Sequence, residues 1–159
     1  MYTKILFLIG CSLSLVVAQF DWDDGGVPVR QGVHIEWQRT GDNGSMDEMI
    51  YAWSDTRSGG RDIYIQKINS NGDLLWGSEG SPVVIADGRQ EDPILITDGS
   101  GGAFVIWVDY RDEPDNGDIY GQHVNSDGSV SWGLSGVPLT NLEGKQVSPN
   151  MCSDGQGGV

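Results

Sequence analysis

The densest run of hard oxygen donors in this chain lies between Asp112 and Asp118, where Asp112, Glu113, Asp115, Asn116 and Asp118 fall within seven residues. Calcium prefers such carboxylate and amide oxygens, so it is the one cofactor the stretch suggests, with Asp112, Glu113, Asp115 and Asp118 as ligands. The spacing is not that of a D-x-[DN]-x-[DN]-G loop, and the matching stretch upstream reads only Ser58-Gly59-Gly60-Arg61-Asp62. A solvated acidic turn is the competing reading, and the spacing favours it. The histidines offer less. His34 stands alone between Val33 and Ile35, and His123 aligns with Lys67 at a position expected to tolerate solvent. Spacing ties together no nucleophile, base and acid, so no catalytic residue is assigned.

A second set of reactive types occurs twice. Trp53, Asp55 and Arg57 match Trp107, Asp109 and Arg111, and each Asp-Arg pair sits two apart, on one face of an extended strand. A bidentate link from each arginine to a neighbouring strand, or to Asp62 and Asp118, is the structural expectation; a ligand site is the functional one. A catalytic set is normally built once, whereas framework residues recur. Recurrence therefore assigns Trp53, Trp107, Trp76 and Trp132 to packing, each burying a large apolar surface, ahead of sugar stacking.

These residues must be held by repeated elements. A shift of 56 superposes Asp62-Ile63-Tyr64 on Asp118-Ile119-Tyr120, Gln66 on Gln122, Trp76-Gly77 on Trp132-Gly133, and Pro82 on Pro138. Upstream the shift falls to 54, the difference lying between "RSGGRD" and "RDEPDNGD". The same 54 carries Trp22, Gly26 and Pro28 onto Trp76, Gly80 and Pro82, marking a third, diverged copy. Within a unit, "PILITD", "AFVIWVDYR", "DIYGQHVN" and "SVSWG" read as four antiparallel strands. They are punctuated by Gly-rich turns and followed by the crossover "LSGVPLTNLEGKQVSP". Such units of about 54–56 residues describe an all-β, partial β-propeller of four-stranded antiparallel blades, divided 19–52, 53–106 and 107–159. The first and last units are incomplete, so an N-terminal fragment of a longer ring is expected.

Composition agrees with this class. The chain has 24 glycines, and 23 acidic residues against 9 basic ones leave a net charge of -14, which repels nucleic acid and anionic membrane surfaces. Lys4 followed by "ILFLIGCSLSLVVA" reads as a signal peptide over 1–18, and hence a secreted or cell-surface product. Leu8-Ile9-Gly10-Cys11 also spells a lipobox, which leaves lipidation of Cys11 as the other processing. Cleavage after Ala18 leaves Cys152 alone, so no internal disulfide is expected.

Through the pattern "W-x-D-x-R … D-I-Y-x-Q … W-G-x-x-G-x-P", residues 20–159 resemble secreted or cell-surface bacterial β-propeller repeat proteins. Many of these end in a C-terminal secretion sorting domain. The resemblance implies an exported scaffold for binding or adhesion, non-catalytic in this stretch. Its expected partners are the remaining blades of the same chain and a protein or carbohydrate ligand. The alternative is the N-terminal part of a secreted propeller hydrolase acting on carbohydrate. Asn125, Asp127, Ser131 and Trp132 fall near a sialidase Asp-box, but Gly128 comes one position early and Asn71 replaces the aspartate in the other copy. Sialidase chemistry is therefore not carried over.

Overall fold

The structure, a computed structural model, describes the backbone course of residues 36–45 and the whole of residues 47–140 and 142–159. The expected signal peptide over 1–18 with Cys11, the matches Trp22, Gly26 and Pro28 of the expected third copy, and His34 lie outside the described residues. Two four-stranded antiparallel sheets make up the fold. The first runs β1 (Glu36–Ser45), β2 (Glu48–Asp55), β3 (Asp62–Asn69), β4 (Ser81–Val84). The second runs β5 (Gln90–Thr97), β6 (Ala103–Asp109), β7 (Asp118–Val124), β8 (Val137–Pro138). No helix occurs among the described residues, and neither sheet closes on itself. The all-β expectation is met. The unit boundaries at 53 and 107 fall within β2 and β6, because the tryptophans that mark the repeat are mid-strand residues.

The sheets stack face to face. Ile50, Ala52, Ile63, Ile65, Val83 and Val84 of the first pack with Leu95, Ala103, Val105, Trp107 and Val124 of the second. Strand alternation produces this directly: in β6 the odd-numbered residues Ala103, Val105 and Trp107 face the first sheet, while Ile106 and Val108 belong to a separate cluster on the other side. Both faces of the second sheet are therefore apolar, the pattern of a sheet built to be covered twice.

One element differs from the sequence reading. The fourth strand expected at Ser129–Gly133 is reduced to a single bridge between Val124 and Val130, with Ile68 and Leu74 making the equivalent bridge upstream. The outer strand is β8, or β4, inside what reads as a crossover. The cause is a buried carboxamide. Gln66 Oε1 accepts the amides of Lys67 (2.9 Å) and Trp76 (2.9 Å), and its Nε2 donates to Gly77 O (2.5 Å). Gln122 does the same with His123 (3.1 Å), Trp132 (2.8 Å) and Gly133 O (2.6 Å). The side chain takes over the ladder bonds at the Trp-Gly step and bends the chain away; pairing resumes after Gly80 or Gly136.

Candidate functional site

The two Trp-Asp-Arg sets are consumed internally. Trp53 and Tyr64 are opposite one another on β2 and β3, as Trp107 and Tyr120 are on β6 and β7. Asp55 Oδ2 accepts from Trp53 Nε1 (3.0 Å), Arg57 Nε (3.0 Å) and Arg57 Nη2 (2.5 Å), and its Oδ1 takes the Arg57 amide (2.9 Å). Asp109 accepts from Trp107 Nε1 (2.8 Å), the Arg111 amide (2.9 Å), Arg111 Nε (2.9 Å) and Nη2 (2.5 Å). Each guanidinium then lies over the facing tyrosine, 4.0 Å from the Tyr64 ring and 4.1 Å from Tyr120. Burial works to raise the Asp55 carboxyl, but Arg57 and Trp53 outweigh it and hold the group below the usual carboxylate range. Burial likewise opposes the charge on Arg111, and Asp109 more than restores it.

The arginine link is thus local, i to i+2. The carboxylate gripped is not Asp62 or Asp118; beyond its own strand the guanidinium meets the facing tyrosine ring and donates to the carbonyl of Glu79 (2.6 Å) or Ser135 (3.0 Å). The chain turns on leaving β2 and β6, folding the guanidinium back over the preceding carboxylate. Asp62 serves elsewhere, accepting the Ala86 amide at 3.0 Å and the Ser58 hydroxyl. Asp118 is half-buried and stands opposite Asp109.

Residues 112–118 are not drawn into a common ligand set. Asn116 Nδ2 donates to Glu113 (2.7 Å), and the Tyr120 hydroxyl contacts Asp112 at 3.4 Å. Burial, with the nearby Asp112 and Asp109 charges, lifts the Tyr120 phenol despite the opposing pull of Arg111. Among the described residues, no three His, Cys, Asp or Glu side chains gather as a metal-holding group.

The fold does bring together one set that spacing did not reveal. His123 Nε2 lies 2.9 Å from Asp98 Oδ2 and its Nδ1 lies 3.2 Å from Ser131 Oγ, an acid-imidazole-hydroxyl sequence. Burial works to raise the Asp98 carboxyl; hydrogen bonds from His123 and from the Ser100 and Gly102 amides outweigh it and hold the group at about 2. The arrangement lacks what acyl transfer requires. The Ser131 hydroxyl donates to Asn125 Oδ1 (2.8 Å), the Ser131 amide to His123 O (2.9 Å) and the Trp132 amide to Gln122. The amides flanking the hydroxyl are therefore spent, and neither is left for an oxyanion. His123, at a position expected to tolerate solvent, is partly buried beside Phe104 at 4.7 Å between ring centres. Lys67, its counterpart, is buried against Glu48 (2.8 Å) and Gly101 O (3.1 Å).

Between the sheets a polar cleft of roughly 780 Å³ opens, lined by Ser58, Asp62, Asp87, Arg111, Asp112 and Ser135 among others. It lies where the two copies differ: Glu79 of the first sheet, 3.8 Å from Arg57, is replaced by Ser135 beside Arg111. The cleft offers hydroxyls, carboxylates and one guanidinium edge, groups that suit a hydroxylated or peptide-like ligand. No family model matches this chain, and neither a curated protein nor a solved structure is similar to it.

Proposed function

We propose that this chain forms part of an exported β-propeller of the secreted or cell-surface bacterial repeat type, working as a non-catalytic scaffold for binding or adhesion. One observation carries the reading. The Trp-Asp-Arg-Tyr networks are built alike in both sheets and turned inward, so the recurring residues supply framework, while loops such as 58–61 and 112–117 differ in both length and composition. Rigid sheets with variable loops are an arrangement suited to recognition. On this reading the ligand, a protein or a carbohydrate, enters the cleft beside Arg111 and Asp112, and further sheets of the same polypeptide complete a ring.

The test is a glycan and surface-protein binding array with the polypeptide as the cell makes it, run beside its Asp112→Ala variant and a panel of chromogenic glycosides. Binding that weakens in the variant, without glycoside turnover, is the expected result. Turnover of any glycoside would replace the scaffold with an enzyme. A particle image showing sheets in a line would remove the ring.

A further inference from the structure

The junction between the two sheets has a specific lock. Trp76, 6% exposed, is capped by the β7–β8 side of the second sheet: its Nε1 donates to Ser126 O at 3.1 Å, and Gly128 presses so closely that a Cβ there would stand 2.8 Å from the indole. Lys67 reaches across to the Gly101 carbonyl in the turn after β5. Leu95 of β5 fills the core between the sheets.

The far face of the second sheet repeats the receiving half of this lock. Phe104, Ile106, Val108, Ile119 and His123 stand where Ile50, Ala52, Ser54, Ile63 and Lys67 stand in the first sheet. Trp132 replaces Trp76, yet it is 38% exposed, with Leu134 and Leu139 exposed beside it.

Residues 146–158 already follow the path of residues 90–102. The Gln146 amide donates to Gly117 O at 2.8 Å as Gln90 donates to Arg61 O at 2.7 Å. Asp92 and Ser148, a matched pair, are the two non-glycine residues with positive φ among those described, at 53° and 58°. Asp154 repeats the Asp98 turn: its amide donates to Gly158 O (3.0 Å), and its Oδ1 accepts the Gln156 (2.7 Å) and Gly158 (2.9 Å) amides. Met151 packs on Ile106, Val108 and Ile119 from the position that Leu95 holds against the first sheet.

We infer that the Phe104–His123–Trp132 face is the seat of a third antiparallel sheet of the same polypeptide, with residues 146–153 as its first strand. A later hairpin turn of that sheet lays a glycine and a backbone carbonyl on Trp132, as Gly128 and Ser126 lie on Trp76. The occupant is identified by residues 146–158, which sit in register for one such sheet and are unpaired as a strand. The inference rests on the stacked-sheet part of the proposed function, and it holds whether or not the stack closes into a ring.

The experiment uses the polypeptide as the cell makes it, combining tryptophan oxidation footprinting with amide hydrogen exchange. Trp132 should lose its reactivity to the level of Trp76, and the non-proline amides of 147–153 should be protected to the same degree as their counterparts in 91–97. A Trp132→Phe variant should lower the melting temperature as much as Trp76→Phe. A readily oxidised Trp132 would overturn the inference, even if images display a ring. So would a protected Trp132 with freely exchanging 147–153 amides, since the cover would then not be this sheet. Protection of both in a particle with no ring would support the inference while removing the propeller.

Discussion

Trp107 and Gly136 meet so closely that a Cβ built on Gly136 would stand 2.6 Å from the indole Cη2 and 2.7 Å from the Gly121 carbonyl. Gly80 has the same relation to Trp53, at 2.8 Å. The second glycine of the W-G-x-x-G-x-P stretch therefore lets the outer strand return over the buried tryptophan. Gly136→Ala should cost about 2–4 kcal/mol, combining a φ of 66° with the clash. Gly133→Ala, also at positive φ but with open space around it, should cost about 1 kcal/mol. Chemical denaturation of the two variants checks the difference; equal losses would mean that φ alone requires the glycine.

Gln66 and Gln122 are fully buried and each closes three backbone bonds. Gln122→Met keeps most of the volume and strands two amides and a carbonyl, so it should lose about 2–4 kcal/mol. Denaturant melts would detect this. A loss under about 0.5 kcal/mol would mean that water replaces the carboxamide.

Asp55 has a side chain with no solvent exposure, in contact with a guanidinium that is 13% exposed. Asp55→Asn keeps an acceptor for the indole but removes the buried carboxylate from Arg57, leaving the longer Glu79 contact at 3.8 Å, and should destabilise by about 2–3 kcal/mol. Arg57→Lys, which loses the planar fork and the stack on Tyr64, should also destabilise. A cycle combining both changes should recover part of the sum.

Acid should weaken the fold through Asp98. Its folded value of about 2 lies below the unfolded value near 3.8, so the contribution is complete above roughly pH 4 and disappears as pH falls through about 2. Solvent screening reduces it to about 1 kcal/mol. Asp98→Asn should flatten that segment of the stability curve. An unchanged acid limb would place the responsible carboxylate elsewhere, with Asp55 next in line.

Glu113 receives Asn116, and Asp112 contacts Tyr120, so added calcium should leave the melting temperature unchanged. Titration calorimetry of the chain and of Asp115→Ala should give matching traces. A binding event lost in Asp115→Ala would restore the cation to this loop.

Periodicity and turn chemistry made the strands legible. Alternation in "AFVIWVDYR" and the glycines around "GSGG" specify extended segments and tight turns by local sterics alone, and repetition marked Trp53, Asp55, Arg57 and their partners as framework before any contact was known. The outer strand was misplaced because a glutamine captures the tryptophan amide from ten residues away and donates to the next glycine's carbonyl, bonds that no local pattern encodes. Asp98, His123 and Ser131 were separated for the same reason: strand pairing joins residues 25 and 8 apart, and pairing is a property of the sheet. Whether a tryptophan ends covered or exposed also lay beyond the sequence. Trp76 and Trp132 occupy equal contexts along the chain, and only the stacking of one sheet upon another distinguishes them, because burial depends on what arrives from outside the segment.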